Sequence, residues 1–209
     1  MKKGQLKLFP EIGLCQEWET VSKRDGEKTL RSFLRIRHER MRMFLTCLSV
    51  SRLETLRGRS DVVVLLKRLS ERIDGNIRAV PLKTIRMSIN ADKLDFVTPD
   101  FIKKVLGPNP PTPDRRTRSL FFDAALVFAE ILRAEHGHLV WGTVRTRGGV
   151  EQNHVGLIPI DATGKRRDSE AFIPWVCVSN CAWRAFRNGE KTDLVALHRV
   201  WSRILANTK

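Results

Sequence analysis

Arg31, Arg35, His38 and Arg42 recur at spacings of four, three and four residues. On an α-helix that pattern keeps all four within about 60° of one another. A row of guanidinium groups on one face can grip phosphates, because each planar fork matches two phosphate oxygens. With arginines on either side to hold a phosphodiester, His38 would also be placed for general acid–base work in RNA cleavage. A lone histidine in a basic face is more often one further phosphate contact or a neutral surface residue.

Three further basic clusters stand apart from that row. Arg115, Arg116 and Arg118 immediately precede the most apolar stretch of the chain. Positive charge at the start of a helix opposes its macrodipole, so these arginines gain nothing locally and point to an external anion. Arg145 with Arg147, and Lys165 with Arg166 and Arg167, fall on two turns expected at opposite ends of a small sheet. At opposite ends they would not share one compact ligand.

Acidic chemistry is confined to a narrow stripe. Asp123 and Glu130 lie about 10 Å apart along one helix face. Two-metal nucleases need carboxylates that converge on ions ~4 Å apart, so Asp161 or Asp168 would have to complete such a site. The favoured reading makes Asp123 and Glu130 ion-pair acceptors for Arg31, Arg35 or Arg42. His136, His138, His154, Cys177 and Cys181 are of metal-ligating type. Their spacing does not converge as zinc sites do, and no metal and no cofactor are expected.

The absences narrow the chemistry further. There is no Tyr, which excludes strand transfer through a tyrosine nucleophile. No GxxxxGK[ST] or GxGxxG run occurs, so phosphate-cradling loops of those kinds are missing. No acidic residue is followed two positions later by Lys, which removes a common nuclease arrangement.

The whole-chain balance agrees with the clusters. Of 209 residues, 38 are Lys or Arg and 23 are Asp or Glu, for a net charge of +15. Arg outnumbers Lys roughly two to one. Such an excess points to a polyanionic partner. Hydrophobic content of 42%, with five Trp and ten Phe, is enough for a packed core. No secretion signal and no long apolar run are visible, and the four cysteines lack a disulfide-like spacing. A soluble cytoplasmic protein with no membrane partner is expected.

The elements that must position these residues follow from periodicity. SLFFDAALVFAEILRAE, from Ser119 to Glu135, is apolar nearly all round apart from the Asp123, Glu130 and Arg133 stripe, so it reads as a helix buried on most sides. Lys28 to about Val50 reads as a helix with Leu30, Phe33, Leu34, Met41, Phe44 and Leu48 on one face, and its phase slips near Ser49 to Ser51. Ser60 caps a helix from Asp61 to Asp74, closed by Gly75. Its first turn, Val62 to Val64, argues against a recognition helix. Ile77 to Asn90 alternates like a strand, and Thr98 to Gly107 reads as a short helix. HLVWGTV and VEQNHVGLIPI flank Arg147, Gly148 and Gly149 as a hairpin. AFIPWVCV then reads as a third strand, Asn180 to Arg187 as a short helix, and Asp193 to Ala206 as a last helix covering a sheet face. The helix-then-hairpin order from Ser119 to Ile160 resembles a winged helix, with Arg145 and Arg147 at the wing tip. A recognition helix would have to show polar side chains to a groove, and this one has too few.

The expected architecture is α+β. An N-terminal arm and helical unit (1–76) precedes an α+β portion (77–209) built on the buried helix and a three-stranded antiparallel meander, with one continuous domain as the alternative division. The expected function is non-enzymatic nucleic-acid binding through Arg–phosphate contacts. One alternative is a subunit of a nucleoprotein complex whose Arg face docks on an acidic protein. The other is a small nuclease using His38 or the acidic stripe. The sequence does not separate DNA from RNA, or single from double strands, because most of its aromatic residues fall on apolar faces.

Overall fold

In the computed structural model the described residues are 21–50, 53, 58–81, 111–146 and 152–207. The alternating run beyond 81, the helix expected over 98–107, Arg147 and the hairpin turn at 147–149 lie outside them.

The apolar run becomes α3 (Arg115–Glu135), and the other elements pack round it. It begins at Arg115 rather than Ser119, because Asp114 caps it by accepting from the Thr117 backbone N–H at 2.7 Å. From Phe121 to Leu132 all residues but Phe122 are buried, as an apolar circumference requires.

The first helix, α1 (Lys23–Cys47), starts at Lys23 rather than Lys28 because Ser22 caps it, accepting from the Asp25 N–H at 3.1 Å. It stops at Cys47, and Ser49 turns into the left-handed region at φ 57°, where the side-chain phase slips. The next helix, α2 (Arg59–Asp74), has Gly58 at its N-cap in place of Ser60, with no side-chain hydrogen bond there. Its C-terminal end is tied to a distant part of the chain, since Thr192 donates to Asp74 through Oγ1 at 2.6 Å.

Two small antiparallel sheets flank the helices. Strands β1 (Ala79–Pro81) and β2 (Pro111–Pro113) pair just ahead of α3. The Thr117 hydroxyl fastens them to it by accepting from the Arg78 N–H at 2.8 Å. Strands β3 (Leu139–Thr143) and β4 (Val155–Pro159) pair from Leu139 with Pro159 to Thr143 with Val155. The hairpin expected around the Gly-Gly turn is therefore present.

The third strand is not. Phe172 makes one bridge with Leu157, its N–H and C=O each bonding across at 2.8 Å. Pro174 then opens α4 (Pro174–Asn188), which Gly189 ends at φ 69°. Proline removes a strand donor but suits the first helical position. Pro174, Trp175, Val178, Ala182 and Ala185 are buried at helical spacing, so an apolar run that reads as strand is the inner face of a helix. The last helix, α5 (Leu194–Ala206), packs on α2, α3 and α4 instead of covering a sheet. Its Trp201 packs on Phe172, at 4.6 Å between ring centroids.

The class is thus α+β, with five helices and two two-stranded sheets among the described residues. One hydrophobic cluster joins Phe33 and Phe44 of α1, Leu66 of α2, Val127 of α3, Val178 of α4 and Leu205 of α5. No helix among the described residues is long and apolar enough to cross a membrane.

Gly26 shows how closely this packing holds. It is buried in the first turns of α1, and a Cβ there would collide with the Asn153 carbonyl oxygen. Asn153 sits in the left-handed region at φ 65° and donates from its side chain to the Val21 carbonyl at 2.8 Å. Gly26→Ala is expected to cost about 1–3 kcal/mol by overpacking, seen as a lower Tm in thermal denaturation. An unchanged Tm would mean that α1 does not sit against this loop.

Candidate nucleic-acid interface

The acidic stripe of α3 faces α1, where it meets two arginines that sequence periodicity passed over. Arg40 grips Asp123 with both arms of its fork, Nε to Oδ1 and Nη2 to Oδ2, each at 2.6 Å. Arg40 is 5% exposed and Asp123 1%. Glu130, 5% exposed, accepts from Arg133 Nε at 2.8 Å and from Trp141 Nε1 at 2.8 Å, with Arg37 at 3.9 Å. The partners are therefore Arg37, Arg40 and Arg133, not Arg31, Arg35 or Arg42. A signal did exist in the sequence. On the helical wheel Arg37 and Arg40 fall within about 60° of Phe33 and Phe44, so both arginines sit on the apolar face.

Burial pushes the Asp123 carboxyl up from its ordinary 3.8 to about 6, against the lowering effect of the Arg40 hydrogen bonds and charge. The group remains ionised at neutral pH. Beside it Phe33, Trp141 and Trp175 form an aromatic cluster, with the two indoles stacked at 6.2 Å and 7°.

Turning Arg37 and Arg40 inward leaves the opposite face of α1 to solvent. Arg31, Arg35, His38 and Arg42 are all exposed, and His38 Nε2 accepts from Arg37 Nε at 3.2 Å. Because Arg40 meets Asp123 while the earlier Arg37 meets the later Glu130, α1 and α3 run antiparallel. The C-terminal end of α1 and the first turn of α3 therefore share one end of the pair. Arg115, Arg116 and Arg118 are exposed there, but they do have an acid beside them. The Asp114 carboxylate occupies the helix start, and although burial raises it, hydrogen bonds from Thr117, the charge of Arg78 and the Arg116 N–H hold it below the usual range. A carboxylate of this chain therefore already stands beside these arginines at the helix start.

The two basic turns leave opposite ends of the β3–β4 pair, yet one arginine bridges them. Arg166 reaches across the hairpin to donate to the Thr143 carbonyl at 2.6 Å, passing over Gly142, where a Cβ would come within 3.3 Å of its Nη1. Arg166 also pairs with Asp168 at 2.7 Å, and Asp168 accepts from the Arg145 N–H at 2.9 Å. Burial raises the Asp168 carboxyl, yet these contacts hold it below the usual range. Arg166 is thus a cross-strap, and Arg167 lies 3.5 Å from Asp161 and 3.7 Å from Glu170. Lys165 and the Arg145 side chain are exposed. Arg167 is exposed as well, so these three stay available as candidate phosphate contacts.

His136 and His138 stand with ring centroids 6.0 Å apart, and Cys181 Sγ lies 3.8 Å from the Asp193 carbonyl. Among the described residues no group of three or more His, Cys, Asp or Glu is placed to hold a metal ion.

Sequence reading missed one further constellation. Where α3 ends, Glu135 Oε2 lies 2.8 Å from His198 Nε2 and accepts from Ser202 Oγ at 3.2 Å, with Ser202 Oγ 3.4 Å from the same imidazole nitrogen. A hydrolytic triad needs the acid on one ring nitrogen and the serine on the other. Both share Nε2 here, so this is a hydrogen-bonded cluster and not a relay. The three residues come from sequence separations of 63 and 67, with no local motif to connect them. Compared with protein-family models, curated proteins and solved structures, the chain finds no match.

Arg40→Ala would leave a carboxylate buried without its counter-charge, an expected loss of about 3–5 kcal/mol at neutral pH. The pH dependence has a definite sign. Because folding raises the Asp123 value, its contribution is fully present below 3.8 and is lost as pH rises through about 6. Removing Arg40 raises the group further, so the penalty of Arg40→Ala should grow from pH 4 to pH 7. Urea denaturation of both proteins across that range measures it, and a penalty independent of pH would mean that Asp123 does not titrate there.

Proposed function

We propose that this chain binds nucleic acid without catalysis, gripping phosphates with the outward row Arg31, Arg35 and Arg42 of α1, with His38 among them. The observation that supports it most is the division of α1. Arg37 and Arg40 neutralise the buried carboxylates, so the outer row is not consumed by the fold. From Arg31 to Arg42 the row runs about 16 Å, the axial length of roughly five base pairs. Arg115, Arg116 and Arg118 extend the positive surface at one end. The net charge of +15 favours approach to any polyanion. The nuclease reading loses its acidic pair, since Asp123 and Glu130 are buried and already hydrogen-bonded.

A second reading has its own observation. Leu34, 38% exposed, lies about 60° round α1 from Arg31, and Val140 of the adjoining β3 is 41% exposed. An acidic protein surface within a nucleoprotein complex would cover apolar and basic groups together.

Electrophoretic shifts of the full chain with single- and double-stranded DNA and RNA test the proposal. Binding should weaken steeply as salt rises from about 50 to 200 mM. R31E/R35E/R42E should lose on the order of 100-fold in affinity while keeping its circular dichroism spectrum. Affinity indifferent to salt, or to this triple change, would overturn it. Tight capture of an acidic protein with no nucleic-acid shift would favour the second reading.

A further inference from the structure

The C-terminal end of α3 borders a cleft of about 820 Å³ between α2 and α5. It lies about 30 Å along α3 from the Arg115 cluster. Three arginines line it, Arg59 from the first turn of α2 with Arg199 and Arg203 from α5. All three are exposed. Leu53, Val62 and Ile131 supply an apolar wall. Glu135, His136, His198 and Ser202 form the remaining polar corner.

These parts sort by the chemistry they can accept. Three guanidinium groups round one cavity favour a compact anion of high charge, and their forks match phosphate oxygens in pairs. The volume lies within the range of small-molecule sites and far exceeds an inorganic phosphate, so a body must accompany the charge. Glu135 is the one carboxylate lining the cleft among the described residues. Burial raises it, but hydrogen bonds from His198 and Ser202 and the charge of His198 outweigh that and hold it below the usual range. An ionised carboxylate repels phosphate and accepts from O–H or N–H. The ligand should therefore carry its anion toward the arginines and a hydroxyl or amine toward Glu135.

We infer that this cleft is a binding site for a phosphate monoester with a hydroxyl-bearing body, such as a nucleotide or sugar phosphate. The same chemistry is presented by a free small molecule and by the 5′-phosphorylated end of a strand. The site is separate from the α1 row, and binding here does not depend on the nucleic-acid reading.

Calorimetric titration of the full chain tests it, using adenosine 5′-monophosphate, ribose 5-phosphate, inorganic phosphate and adenosine. The two esters should bind and adenosine should not. R199E/R203E, two exposed changes on α5 whose folding circular dichroism can verify, should weaken ester binding by about 10-fold or more. Glu135→Ala should weaken the esters relative to inorganic phosphate, because it removes the acceptor that only the esters use together with the charge that repels both. R31E/R35E/R42E should leave ester affinity unchanged, which separates this site from the α1 row. A 5′-phosphorylated oligonucleotide that outcompetes its 5′-hydroxyl twin, in a manner lost in R199E/R203E, identifies a strand end as the source. Equal binding of the twins identifies a free small molecule. The assignment fails if no ester binds at about 10 mM, in the millimolar range of weak ligands. It fails equally if adenosine binds as well as its monophosphate, or if R199E/R203E changes nothing.

Discussion

Two carboxylates on a helix with no solvent face must find their counter-charges inside the protein. Asp123 and Glu130 have that position on α3, and an unpaired charge at such depth would cost more than the fold can spare. The need fixes α1. Its register against α3 is set by Arg40 on Asp123 and Arg37 beside Glu130, its direction by the order of those contacts, and its rotation by the aromatic residues Phe33 and Phe44 on the same side. Once α1 is rotated that way, Arg31, Arg35, His38 and Arg42 have only the solvent to face. The basic row is a geometrical consequence of the buried pairs, since a helix that spends two arginines inward shows its remaining ones outward.

The long periodic segments were legible because their side chains report burial directly. The all-round apolar helix, the hairpin and the split of α1 into apolar and basic faces follow from spacing alone. The AFIPWVCV run misled because a short apolar stretch looks alike in a buried strand and on the inner side of a helix. Pro174 was the discriminating residue. The partners of Asp123 were misassigned because charge was sorted from hydrophobicity before position was considered, and arginines on the apolar face escaped both groupings. Arg166 illustrates a different limit, because reach across a hairpin depends on Gly142 leaving room, which composition does not express.

The candidate sites divide in the same way. A row on one helix is visible to anyone who draws the wheel. The cleft at the end of α3 is assembled from residue 53 to residue 203, by helices that are neighbours only after folding. Its most telling residue, Glu135, reads in sequence as an ordinary polar end to a helix. It gains chemical meaning from His198 and Ser202, which share one face of α5 one turn apart. Exposed arginines gathered round an apolar pocket are likewise unremarkable singly and informative only as a group.

Several contacts that hold the N-terminal helices are made late in the chain. Arg40 waits for Asp123, 83 positions on, Asp74 for Thr192, 118 positions on, and Val21 for Asn153, 132 positions on. Each of these pairings closes a loop of more than 80 residues, so its entropic cost falls on the whole intervening chain. Contacts so distant in sequence make for slow folding, because the loops must close before the pairs reward them.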